Sequence, residues 1–142
     1  MLVSTKGRYA LRVLADLAQH QTDDYIPLKD IAGREGISEK YLESIIKTLV
    51  KGGILTGLRG KGGGYRLIRD PNQLTVKEVL MLTEGDLAPV SCLSDDEPCP
   101  HGPGCPTMAM WRRLDALIDQ FFSGITITDL MPESVRGGMY VI

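Results

Sequence analysis

The stretch Ile37-Ser-Glu-Lys-Tyr-Leu-Glu-Ser-Ile-Ile-Lys-Thr-Leu-Val-Lys-Gly-Gly53 decides the fold. Ser38 is a natural N-cap, and Ile37 before it is placed to pack on Leu42 four positions past the cap, a staple that fixes how the chain enters a helix. Leu42, Ile45, Ile46, Leu49 and Val50 recur at helical spacing and predict a buried stripe. Lys40, Glu43, Ser44, Lys47 and Lys51 fall off that stripe and leave a polar face, and Gly52-Gly53 supplies the stop. Upstream, Pro27 precedes a short helical segment through Ile31 and Ala32 that Gly36 breaks. A short helix, a tight turn and a second helix with a polar face follow helix-turn-helix order.

Working outward, Ala10, Val13, Leu14, Leu17 and Ala18 predict an amphipathic first helix that starts after Ser4 or Thr5 and ends near His20. Behind the reading helix, Ile54 to Leu58 and Tyr65 to Ile68 are short strand-like runs joined by a glycine loop, a hairpin in the position of a wing. Thr75-Val-Lys-Glu78 is a capping box opening another short helix that ends at Glu84-Gly85. From Thr107, Trp111, Leu114, Ile118 and Phe121 recur every three or four residues, with Leu117 and Phe122 widening the stripe until Ser123-Gly124. That apolar face exceeds what one small winged domain covers, which points to dimerisation, with packing back on the first helix as the alternative. Thr126-Ile-Thr-Asp129 resembles a further cap, and the tail 137–142 has no readable role. The expected fold is mainly α with a small β-hairpin wing: a winged helix-turn-helix domain over 1–85, a cysteine loop over 86–106, and a long dimerisation helix with a tail over 107–142.

Arg59-Gly-Lys-Gly-Gly-Gly64 lets the backbone approach a surface closely while Arg59 and Lys61 supply charge. A nucleotide-binding loop fails on spacing, because Leu55 stands where its first glycine belongs and Gly62 where Ser or Thr must follow Lys61. A hairpin tip without function is the bland reading. After a helix-turn-helix, a basic tip suits a minor groove, with Arg59 the best candidate to enter it beside Gly60, Lys61 and Gly62. On the reading face, Glu43 is repelled by phosphates and helps only if it accepts from a cytosine N4 amine, otherwise being ordinary solvated surface. Lys40 and Tyr41 near the helix start can donate to phosphates.

All three cysteines of the 142 residues, Cys92, Cys99 and Cys105, fall in one Pro- and Gly-rich stretch without apolar periodicity. Thiols so placed are not core filling. Six residues separate the first two and five the last two, unlike the close pairs of a structural zinc site. A wide three-thiolate loop suits an iron–sulfur cluster with a distant, weak or exchangeable fourth ligand. Zinc held by these cysteines and His101 remains open, as do free redox thiols. The composition, 43% hydrophobic and 24% charged, is that of an ordinary globular chain. The net charge of −2 hides a split, with twelve Lys or Arg against eight Asp or Glu in residues 1–70 and four against ten in 71–142. The N-terminal half alone is suited to phosphate. With no membrane-length apolar run and no export signal, the expectation is a cytoplasmic protein without a disulfide framework.

Over essentially its whole length the chain resembles the IscR/NsrR/CymR family of bacterial winged-helix regulators. The resemblance rests on Ser4-Thr-Lys-Gly-Arg-Tyr-Ala10, on Ile37-Ser-Glu-Lys-Tyr-Leu-Glu43, on Arg59-Gly-Lys-Gly-Gly-Gly-Tyr65, and on three cysteines before Thr107-Met-Ala-Met-Trp111. It implies a homodimer on a palindromic double-stranded operator, often as a repressor, and in IscR-like members a cluster held by the three cysteines. It further implies that Tyr41, Glu43 and Ser44 contact bases or backbone, that Arg59 and its glycines enter the minor groove, and that Cys92, Cys99 and Cys105 bind iron. IscR-like members carry a histidine ligand where this chain has Met108, and NsrR-like members an aspartate where it has Arg8, so His101, Met108 or an exogenous ligand completes the set, with His101 ranked first because imidazole is the better ligand for iron. The expected function is regulation of cluster assembly, iron or sulfur (cysteine) metabolism by an iron–sulfur-dependent transcription factor. Nitric-oxide or redox-stress sensing is the alternative within the family. A non-regulatory cluster carrier or thiol redox enzyme is the alternative outside it, and no paired acid and base or Cys-x-x-Cys motif supports an enzyme.

Overall fold

A computed structural model describes residues 3–93, 101 and 104–132. Among the described residues six helices and one hairpin follow in the order α1 (Thr5–Gln19), α2 (Leu28–Glu35), α3 (Glu39–Lys51), β1 (Leu55–Leu58), β2 (Gly64–Leu67), α4 (Val76–Glu84), α5 (Met108–Ser123) and α6 (Ile127–Leu130), with a 3-10 turn at Ser91–Leu93. This is a winged helix-turn-helix with one longer helix outside it.

The helix starts are where local chemistry places them. Ser4 accepts from the Gly7 N–H at 3.1 Å and Ser38 from the Tyr41 N–H at 3.2 Å, each satisfying a donor that the first turn leaves without an intrahelical partner. Thr75–Glu78 and Thr126–Asp129 both form reciprocal capping boxes. Between α2 and α3 the chain turns at Gly36, whose φ of +65° is left-handed and natural only for glycine.

One core gathers Ala10, Val13, Leu14 and Leu17 of α1, Ile31 of α2, Leu42, Ile45, Ile46 and Leu49 of α3, Leu55 and Leu67 of the hairpin, and Val79 of α4. Val50 is a correction to the expected stripe, being 39% exposed. At 100° per residue it lies about 90° from the centre of the stripe set by the other four, at an edge that periodicity alone counts as inside. Asp16 is buried among these apolar side chains and is held by a two-pronged contact with Arg34, Oδ1 to Nε and Oδ2 to Nη2 both at 2.8 Å. That hydrogen-bonded carboxylate raises the Arg34 pKa further and clamps α2 onto α1.

The hairpin is tied to the helix-turn-helix as well as to itself. Ile26 and Tyr65 exchange two main-chain hydrogen bonds at 2.9 and 2.8 Å, extending the hairpin by one bridge to the residues just before α2. Gly64, with φ +152°, allows this approach, because a Cβ there meets the Ile26 carbonyl and stands 2.7 Å from the Pro27 nitrogen.

Helix α5 leans on α4, linked by the Lys77–Asp119 ion pair, and Phe122 packs on a small cluster of Val76, Leu80 and Leu87 that also takes Val3 and Leu11. Its other face is open, with Leu117 61% and Phe121 52% exposed. The chain then returns: Val76 N–H donates to the Ile125 carbonyl at 2.8 Å, Ile127 N–H to that of Leu74 at 2.9 Å, and the Ile127 side chain is fully buried in the main core. Helix α6 is thus joined to the winged helix-turn-helix by the long-range Thr75–Thr126 bridge. Among the described residues no helix is long and apolar enough to cross a membrane.

Candidate nucleic-acid interface and thiol site

The polar face of α3 and the inner face of the wing form the two walls of one groove of about 830 Å³. Glu43, Lys47, Val50 and Lys51 line the helix side, and Leu58, Arg59, Gly60 and Gly63 the wing side, with Pro27 and Leu28 closing one end. The sequence-predicted Glu43, Arg59 and Gly60 are thus brought together. Lys40 and Tyr41, on the first turn of α3, and Ser44, next to Glu43, lie outside the groove, and Lys61 and Gly62 lie at the wing tip beyond it. All eight are at least partly exposed.

Local chemistry shapes both walls. Gly60 and Gly62 have φ of +90° and +79°, and a Cβ at either position meets open space, so the tip is shaped by backbone conformation. At Gly63 the reason is space, since a Cβ would collide with the Leu58 carbonyl. Ser44 turns its hydroxyl back to donate to the Tyr41 carbonyl at 2.8 Å, leaving Glu43 and Lys47 as the charged groups facing the wing from the middle of α3. Groove residues absent from the expected set include Lys47, Lys51, Val50 and Leu58. The signal for Lys47 was present, because a residue four positions after Glu43 shares its face.

The groove can straddle a ridge of nucleic-acid backbone, with a helix on one side and a basic loop on the other. Arg59, Lys61, Lys47 and Lys51 supply the charge, and the Glu43 carboxylate can only accept.

Of the expected metal ligands, Cys92 sits half-buried in the Ser91–Leu93 turn, His101 is exposed, Cys105 is half-buried just before α5, and Met108 opens α5 with its side chain buried. Cys99 lies outside the described residues, as do the tail 137–142 and the acidic stretch 94–98. Among the described residues no three His, Cys, Asp or Glu side chains converge into a metal-holding group. Cys105 is nonetheless the more acidic for its surroundings. Its sulfur lies 3.3 Å from the Thr107 hydroxyl, and this hydrogen bond, helped by main-chain N–H groups of Thr107 and Met108, holds the thiol pKa below its ordinary value. A low-pKa sulfur at a helix start is the donor chemistry that iron and zinc both select.

Comparison with known proteins places this geometry. The model of the Rrf2 family, described as an iron-dependent transcriptional regulator, matches residues 3–133. The HTH-type transcriptional regulator IscR of Aliivibrio salmonicida is 37% identical over 134 residues, covering 94% of this chain and 79% of that one. Among solved structures, T. potens IscR superposes with a TM-score of 0.73 at 30% identity over 100% of this chain and 94% of its own. CymR, the global cysteine regulator of B. subtilis, gives 0.74 at 32% identity over 92% and 95%.

Proposed function

Because the chain belongs to the Rrf2 family of iron-dependent transcriptional regulators, we propose that it is an iron–sulfur-dependent regulator of the IscR type acting on cluster assembly, iron or sulfur metabolism. That it is a DNA-binding transcription regulator follows from family membership. The observation that carries the DNA-reading part of this proposal is the groove, which Glu43 lines from α3 and Arg59 from the wing. In this reading Glu43 reads a base in the major groove, Tyr41, Lys40 and Ser44 meet the backbone near the start of α3, and Arg59 with Gly60, Lys61 and Gly62 enters the minor groove.

The protein acts as a homodimer, its open α5 face of Leu114, Leu117 and Phe121 covered by the same face of a second copy. Two reading helices so joined meet half-sites of a palindromic operator roughly 34 Å apart. Cys92, Cys99 and Cys105 hold the cluster, 2Fe–2S in preference to 4Fe–4S, and the lowered pKa of the Cys105 thiol supports its part in this assignment. His101 ranks ahead of Met108 as fourth ligand, being exposed where Met108 is buried. A cluster held by these residues would supply a labile centre able to change charge.

The test is anaerobic purification with iron and sulfide counting, repeated for Cys92→Ala, Cys99→Ala and Cys105→Ala. Each replacement should abolish the visible chromophore while the winged domain stays folded by circular dichroism. In the pair His101→Ala and Met108→Ala, only the first should shift the spectrum. Stoichiometric zinc in place of iron and sulfide would overturn the cluster assignment.

A further inference from the structure

Arg12 lies on the solvent side of α1, 49% exposed, yet its guanidinium donates from two of its three nitrogens. Nε donates to the Glu35 carboxylate at 3.1 Å, and Nη2 donates to the Glu35 main-chain carbonyl at 2.6 Å. Glu35 is the last residue of α2, where carbonyls lack intrahelical donors and the helix dipole is negative, so a forked cation there satisfies both. Only Gly36 and Ile37 separate Glu35 from Ser38, the cap of the reading helix. The same guanidinium covers the Tyr9 ring at 5.1 Å, and the Tyr9 ring meets the Tyr41 ring at 5.9 Å with the planes tilted by 59°. Tyr9 and Tyr41 both pack on the core with their inner edges. Arg12 therefore touches the helix-turn-helix twice, at the turn that sets where α3 begins and through the ring beside which Tyr41 rests.

We propose that Arg12 is a positioning residue for DNA reading: through Glu35 and Tyr9 it fixes the first turn of α3 and the Tyr41 side chain in the orientation that meets the DNA backbone. The inference rests on the assignment of α3 as the reading helix. Lysine is no substitute, because a single ammonium cannot donate along two directions and lie flat on a ring at once. The competing role is a direct phosphate contact by a half-exposed cation, and salt dependence separates the two. A cation that neutralises a phosphate adds about 0.9 to the slope of log affinity against log salt, whereas a residue acting through an uncharged tyrosine adds nothing.

The experiment uses the full-length chain and a duplex recovered by selection from a random-sequence pool. Arg12→Ala should weaken binding about tenfold, the loss of one hydrogen bond's worth of affinity, with the salt slope of the unsubstituted protein. Arg12→Lys should not restore it. In a Tyr41→Ala background Arg12→Ala should have little further effect, the mark of two residues acting as one. Rescue by Lys with a reduced slope in Arg12→Ala, or an undiminished Arg12→Ala effect in the Tyr41→Ala background, would overturn the positioning role. Arg59→Ala, measured alongside, separates the two levels. If Arg59→Ala weakens binding and Arg12→Ala does not, the positioning role alone falls, and if no duplex is selected at all, the reading-helix assignment falls with it.

Discussion

Gly64→Ala should detach the wing from the helix-turn-helix. At φ +152° a side chain is strained by about 1–3 kcal/mol, and its Cβ would press on the main chain of Ile26 and Pro27, which cannot rotate away. Relief requires β2 to withdraw, breaking the two Ile26–Tyr65 hydrogen bonds of 2.9 and 2.8 Å at about 1 kcal/mol each. The sum is a destabilisation of about 3–5 kcal/mol, a large share of the stability of a small domain. Gly62→Ala is the matched control, since its φ of +79° is strained by about 1–2 kcal/mol while its Cβ meets nothing. Urea titrations of the two variants at equal slope would measure the difference. Equal destabilisation would refute the reasoning, because it would show that backbone conformation alone, and not the approach to Ile26, makes Gly64 necessary.

Arg59→Ala should lower operator affinity across all sequences with a flatter salt dependence, whereas Glu43→Ala should relax base preference by about 1–3 kcal/mol at one position, read from binding to an operator library. Unchanged selectivity would return Glu43 to ordinary helix surface. Asp16→Asn removes the charge from a carboxylate whose side chain is 3% exposed and should destabilise by about 2–3 kcal/mol in thermal unfolding, less than a fully enclosed pair because Arg34 is a third exposed. A loss below about 0.5 kcal/mol would place that pair among neutral surface contacts. Thr107→Val removes the hydroxyl that holds the Cys105 thiol pKa down, so its pKa should rise, the thiolate fraction at neutral pH should fall, and alkylation of Cys105 in apo protein should slow. An unchanged rate would show that Thr107 does not tune the sulfur.

What the sequence revealed was what periodicity and capping encode locally. Ser38, Gly36 and the stripe from Leu42 to Leu49 fix the helix-turn-helix because each acts within a few residues of itself, and Thr75–Glu78 is legible for the same reason. The Val50 error shows the limit of that signal, since a residue at the edge of a stripe is inside or outside according to what faces it, and here it faces the groove. Ile127 gave no sign of belonging to the main core, because its placement depends on Leu74 and Thr75 some fifty residues earlier. The Asp16–Arg34 and Arg12–Glu35 contacts were invisible for the same reason: a charge at a helical position reads as solvated surface until its partner's position in space is known. The cysteine spacing raises the expectation of metal chemistry, whereas the lowered pKa of Cys105 comes from a hydroxyl two residues on that spacing rules do not weigh.

The central claim is that the thiol loop and the DNA-reading groove belong to one switch, and a switch requires that its two states bind the target with different affinity. The most direct measurement is operator affinity for cluster-loaded and apo protein, both anaerobic and at the same salt, on the same duplex. The two forms should differ by tenfold or more in affinity or prefer different operators, and Cys92→Ala and Cys105→Ala should behave as apo protein under either treatment. Equal affinities and equal operator preference for the two forms would contradict it and leave the cysteines as a structural metal site on a constitutive DNA-binding protein.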